Sequence, residues 1–252
     1  MKVLSKKLIA GGITAALFAV AIASLLVRTP SVHADYNDED TRVAIGFQIA
    51  PVPLNLKGKD RRLVGLGSYI VNAVGDCNGC HTGGGFPNFN YAAGHNPYFG
   101  QPQKTDPTVY LSGGTDFGAV GDAVFGYSGP DIISRNLTPD KTGRAEGGNT
   151  LAQFKHIIRH GTDFDNLHPT CSTVTATGHS PANCIPSTPD NPVVGSILQV
   201  MPWPTFSHMN DHDLEAIYEY LSSIPCIEGP HTPADLPPNM QYAFPVLHND
   251  CN

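Results

Sequence analysis

Five consecutive residues, Cys77-Asn-Gly-Cys80-His81, constrain this chain more than anything else in its 252. A C-x-x-C-H run is the attachment signature of a c-type haem, and its spacing has a mechanical reason. Two thiols three positions apart on one helical turn reach the two vinyl groups of one porphyrin and form thioethers, and the next residue brings an imidazole to the iron. With six Cys and eleven His in the chain, random shuffling yields this run about 0.006 times per sequence. Two other readings of a C-x-x-C are weaker. A thioredoxin-like redox pair calls for a surrounding βαβ pattern, which the sequence lacks. A zinc site needs two more Cys or His ligands at short spacing; His95 is the nearest candidate, and no second pair completes the set.

A covalently held haem needs a second axial ligand from far along the chain. The soft thioethers available are Met201, Met209 and Met240, and Met201 is the choice. It lies in Leu198-Gln-Val-Met-Pro-Trp-Pro204, an unperiodic segment before the last helix whose prolines stiffen the backbone. The alternatives are Met201 as core filler, Met209 as the ligand, or a distal histidine drawn from His95, His156, His160, His168 and His208. Arg135 and Trp203 lie in segments expected to border the haem, where they would hydrogen-bond its propionates or else serve packing. Tyr69, Tyr218 and Tyr220 read as helix-crossing core in preference to redox relays.

At the N-terminus, Lys2, Lys6 and Lys7 precede an uncharged apolar run from Leu8 to Val27, and Val32 and Ala34 then stand in cleavage-site spacing. Residues 1–34 read as a secretory signal peptide. Retained, the apolar run would be long enough to anchor the chain in a bilayer, the one route to membrane contact. Either way the remainder is expected in the periplasm or another extracytoplasmic space. The whole chain carries a net charge of −7. The signal segment holds four basic and no acidic residues, so its removal leaves 11 basic against 22 acidic residues. That balance excludes nucleic acid as a partner and favours basic partner surfaces.

A hydrophobic content of 40% supports a packed core, while 26 Gly and 22 Pro point to short helices set in long loops. Residues 35–60 are acidic and then proline-spaced, which suits an extended arm. The domain proper is expected over 61–226. Leu63, Leu66, Tyr69, Ile70 and Ala73 mark a first helix that stops near Gly75. Residues 82–130 read as one irregular region. A second helix spans Thr150 to His160, with a Thr150/Gln153 capping box and Gly161 as its C-terminal cap. A third is capped by Asn210, turns Leu214, Ile217, Tyr218 and Leu221 inward, and ends at Pro225. Beyond the motif, Cys171, Cys184, Cys226 and Cys251 suit disulfides in an oxidising compartment. The pairing favoured is Cys171–Cys184 and Cys226–Cys251, each closing a local loop, so that the tail 227–252 is tethered.

Gly67-Ser-Tyr69 before Cys77–His81, then Ile133-Ser-Arg-Asn-Leu-Thr-Pro-Asp140 with Lys141-Thr-Gly143, then Phe154 through Gly161, and Met201-Pro-Trp before Asp211-His-Asp-Leu214 with Tyr218 and Tyr220-Leu221, together resemble class I cytochrome c. More narrowly, the chain is similar to monohaem cytochromes and cytochrome subunits that accompany periplasmic dehydrogenases, over about residues 45–226. The resemblance implies an all-α fold of three main helices around one haem c, the first and last crossing beside it, with His81 and Met201 as axial ligands. It departs from a minimal member in the long irregular insertions between those ligands, and from the usual three-haem dehydrogenase subunit in having one motif. The function implied is one-electron transfer between redox protein partners, with no catalysis of its own. The alternatives are a haem peroxidase or gas sensor with an open distal site assisted by His160 or Arg135, and a docking subunit of a larger dehydrogenase.

Overall fold

The computed structural model describes residues 37–83, 91–122, 127–171, 184–187, 189 and 192–252. By internal contacts the chain divides into Met1–Asp38 and Glu39–Asn252. Of the first unit only the last two residues are described, so the signal segment expected at 1–34 lies outside the described residues. The second unit holds the cysteine motif and the core.

Where an extended arm was expected, the chain forms a helix, α1, at Asn37–Ile49. Only the residues after it, with Pro51 and Pro53, form no regular element, as the residue before a proline is pushed out of helical geometry. The correction has a tertiary cause. Val43 and Phe47, one turn apart, pack on the main core, and the buried Ser68 hydroxyl donates to the Gly46 carbonyl at 2.7 Å. Arg62 reaches back to Glu39 and Asp40. No local periodicity announces these contacts.

The other helices follow their local signals. Asp60 caps α2, Arg61–Tyr69, by accepting from the Arg62 and Leu63 amides, and α2 passes into a π-helical turn, Ile70–Val74, that stops at Gly75. A single turn, α3, holds Cys77–Cys80. Thr150 and Gln153 form the capping box of α4, Leu151–His160, and Gly161 ends it with a φ of 65°. After a short α5, Trp203–Phe206, Asn210 accepts from the Asp213 amide to open α6, Asp211–Leu221. α6 stops ahead of Pro225 because Ser223 turns its hydroxyl onto the Tyr220 carbonyl at 2.7 Å, a local bond that competes with the helix ladder. The tail carries one more turn, α7, Phe244–Leu247.

α2 and α6 cross in backbone contact: a Cβ on Gly67 would stand 1.9 Å from the Ala216 carbonyl oxygen. Val64, Leu66, Val71, Leu214 and Leu221 fill the core around this crossing. Tyr220 is fully buried there and donates to the Tyr110 hydroxyl at 2.8 Å, which donates to Asn72 Oδ1 at 2.5 Å. Tyr218 lies against Phe154, ring centroids 5.7 Å apart.

Within the stretch read as wholly irregular the structure has an antiparallel hairpin, β1 (Asp116–Asp122) and β2 (Tyr127–Ile133), pairing Asp116 with Ile133 and Ala119 with Asp131. Its register shifts twice along β1, and such bulges, with Gly118 and Gly121 in the strand, erase the alternation by which a strand is read. Both expected disulfides are present, Cys171–Cys184 and Cys226–Cys251, with Cα separations of 5.0 and 5.8 Å. A second small core, Ile133, Ala243, Val246 and Leu247, forms under the tail. Among the described residues no helix is long and apolar enough to cross a membrane.

Candidate haem site

A cavity opens beside the helix crossing. α4 lines it with Phe154, Ile157 and Ile158, α6 with Leu214, Ile217 and Leu221, and the opposite wall is Ile132 through Arg135 with Leu137. An apolar wall of this kind suits a large flat hydrophobic group.

Cys77, Cys80 and His81 all face this space. The two cysteines are free thiols, whereas Cys171, Cys184, Cys226 and Cys251 are paired. Burial, helped by the Asp76 carboxylate and then by Cys80, pushes the Cys77 thiol up to about 12. Burial and Asp76 raise Cys80 as well. Both are therefore protonated at neutral pH, the opposite of a thioredoxin-like pair, whose attacking thiol is depressed. Among the described residues, no group of three or more His, Cys, Asp or Glu side chains is gathered to hold a bare ion. The turn is fixed from both ends: Asp76 takes a left-handed φ of 44° to swing the chain out of the π-turn, and Asn78 accepts from the Leu111 amide at 2.9 Å.

His81 Nδ1 lies 2.9 Å from the Arg135 carbonyl oxygen. A carbonyl only accepts, so Nδ1 carries the proton and Nε2 keeps its lone pair. Burial lowers the pKa of this imidazole, so it is neutral at neutral pH. A metal-binding histidine needs this state, with its second nitrogen held by a carbonyl or carboxylate.

Of the thioethers considered, Met201 and Met209 line the cavity, and Met240 packs under the tail instead. Of the histidines, His168 lines it, buried at 4% exposure, while His95, His156, His160 and His208 are not part of the wall. His156 and His160 lie against each other, rings tilted, on the outer side of α4, centroids 4.6 Å apart. Second-ligand candidates therefore narrow to Met201, Met209 and His168.

Arg135 lines the cavity, and its guanidinium pairs with Asp163 and Asp165. Trp203 is not in the wall. Its indole N–H donates to the Leu198 carbonyl at 3.1 Å and its ring covers Gly161, so it braces the segment that carries Met201 against the end of α4. Glu146 is a lining residue that sequence reasoning missed. It sits half-buried on the turn Ala145–Gly148 with a φ of 51°, and burial pushes its carboxyl up to about 7 against the opposing pull of Arg135. Nothing local distinguishes it from any loop glutamate.

Thiols, imidazole, thioether and apolar walls thus fit a haem held through Cys77, Cys80 and His81. Two curated relatives, each named the cytochrome c subunit of a quinone alcohol dehydrogenase, from Gluconacetobacter polyoxogenes and Komagataeibacter europaeus, are 26% identical to the chain over 161 residues. The match covers 64% of this chain and spans only 22% of the length of those relatives. No family model matches the chain, and no solved structure does. The chain is thus a distant relative of cytochrome c subunits.

Proposed function

We propose that this chain is an exported electron carrier with one haem c, held by thioethers to Cys77 and Cys80 and ligated by His81 and Met201. A haem so held supplies one-electron exchange between Fe(III) and Fe(II). The observation that carries the reading is His81: an imidazole whose Nδ1–H is fixed by a carbonyl, standing beside two unpaired thiols on an apolar cavity. The side chains of α4 and α6 would give the haem an apolar wall. Met201, on a segment stiffened by Pro202 and Pro204 and braced by Trp203, would supply the thioether ligand, and an iron ligated by imidazole and thioether would pass electrons without binding substrate, the behaviour of a carrier.

The 26% likeness to cytochrome c subunits supports this reading. It also supports a periplasmic dehydrogenase as electron donor, with a second redox protein as acceptor. The acidic balance of the chain steers it to basic partner surfaces. Export is consistent with the signal-like segment 1–34 and with two disulfides, which persist in oxidising compartments.

The test is expression with export and haem-attachment machinery, followed by intact mass and spectra of both oxidation states. The expected result is one covalent macrocycle and a low-spin iron with a sulfur-to-iron charge-transfer band that Met201→Ala abolishes and Met209→Ala preserves. A colourless chain of unmodified mass overturns the proposal. A high-spin wild type with peroxidase turnover replaces the carrier with an open-site enzyme.

A further inference from the structure

The Arg135 carbonyl that fixes His81 belongs to a segment without regular structure, so something else must hold its peptide plane. The next residue does so. Asn136, 2% exposed, satisfies every hydrogen-bonding site of its carboxamide: Nδ2 donates to the Ile227 carbonyl at 2.8 Å and to the Leu247 carbonyl at 3.2 Å, and Oδ1 accepts from the Thr138 amide at 3.0 Å and its hydroxyl at 2.7 Å. The Asn136 amide donates to the Val246 carbonyl at 2.9 Å. Three of these bonds reach the C-terminal tail. The tail is held in turn by the Cys226–Cys251 disulfide and by Asn249, whose Nδ2 donates to the Thr138 carbonyl at 2.8 Å.

The other face of the same peptide is closed by Gly113. A Cβ there would meet the Arg135 carbonyl carbon at 2.4 Å and the Asn136 nitrogen at 2.5 Å, and the Gly113 amide donates to the His81 carbonyl at 3.0 Å. The Arg135–Asn136 peptide is thus clamped between Gly113 and the tail, with its carbonyl aimed at the ligand imidazole.

We infer that Asn136 is a positioning residue for His81, and that through it the tail 227–252 helps to set the reduction potential of the haem. This rests on the carrier reading. A firm Nδ1–H···O=C bond makes the imidazole a stronger donor, which favours Fe(III); loosening it favours Fe(II). Asn136→Asp keeps the acceptor oxygen for Thr138 and turns both tail carbonyls from partners into repellers. Asn249→Ala removes the two bonds by which its carboxamide ties the tail to the Thr138 carbonyl and hydroxyl, without touching the cavity.

The experiment is spectroelectrochemical titration of the haem-loaded proteins, with NMR of the His81 ring and of Nδ1–H exchange. Asn136→Asp is expected to shift the Fe(III)/Fe(II) equilibrium about tenfold toward Fe(II), ~59 mV for one electron, and to speed Nδ1–H exchange. Asn249→Ala is expected to do the same to a smaller extent, and it decides the matter alone if Asn136→Asp fails to fold. A merely structural role would lower stability and leave potential and ring signals unchanged, and haem-loaded variants behaving so overturn the inference while leaving the carrier reading intact. A wild type without haem overturns both.

Discussion

α4 and α6 wall the cavity on one side with elements that cap themselves, whereas Ile132 to Leu137 and the tail behind them wall the other with little regular structure. The helical wall offers hydrocarbon and little else, because a carbonyl inside a helix is already engaged by the amide four residues on. Only irregular backbone has a carbonyl left to give. The Arg135 oxygen that holds His81 comes from that side, as do Arg135 itself and Glu146. The first wall is stabilised by burial and local caps, the second by side-chain bonds to backbone and by disulfides. The two should fail differently.

The largest effect belongs to the helix crossing. Gly67→Leu drives a side chain into the Ala216 backbone at 1.9 Å, and a loss on the order of 4 kcal/mol or more is expected, read as absent soluble protein or a collapsed circular-dichroism signal. Survival of the variant with a native melting curve would mean that α2 and α6 do not touch in solution.

Next comes the irregular wall. Replacing Cys226 and Cys251 together by Ser opens a loop of sequence separation 25, which on loop entropy should cost about 3 kcal/mol. Protease nicking should concentrate in the tail while α4 stays protected from hydrogen exchange. Equal loss of protection in α4 would show that the walls unfold as one unit.

Glu146 separates the walls by pH. Its carboxyl titrates near 7 in the folded protein against an ordinary 4.5, so the folded state holds a proton the unfolded state has released. The resulting stability is fully present below 4.5 and is lost as pH rises through about 7. Glu146→Gln should flatten this slope, by about 2 kcal/mol after discounting for partial exposure, in urea unfolding at the two ends of that window. An unchanged slope would place the titration elsewhere.

The smallest effect is local. Thr150→Ala removes the α4 capping box and should cost about 1 kcal/mol in thermal or urea unfolding. The haem spectrum should not move, since the cap lies outside the cavity.

Legibility in the sequence divides along the same line. The spans of α2, α4 and α6 could be read because period, cap and stop sit within a few residues of one another. α1 could not, because its support comes from Ser68 and Arg62. β1 and β2 stayed hidden because bulges and glycines cancel the strand period. At the site, Cys77, Cys80 and His81 were legible as one pentapeptide, and Met201 as one of few thioethers. That Trp203 braces its segment, and that Met209 and His168 share the wall, were not legible.

The sequence by itself determined the pentapeptide and three helices and favoured the disulfide pairing that the structure has, since each depends on residues close along the chain. Only the tertiary structure decided which carbonyl orients His81, 54 positions away, and how Asn136 is tied to Leu247 across 111. Hydrogen bonds over such separations leave no periodic trace, because nothing in the covalent chain relates their partners until the core has brought them together.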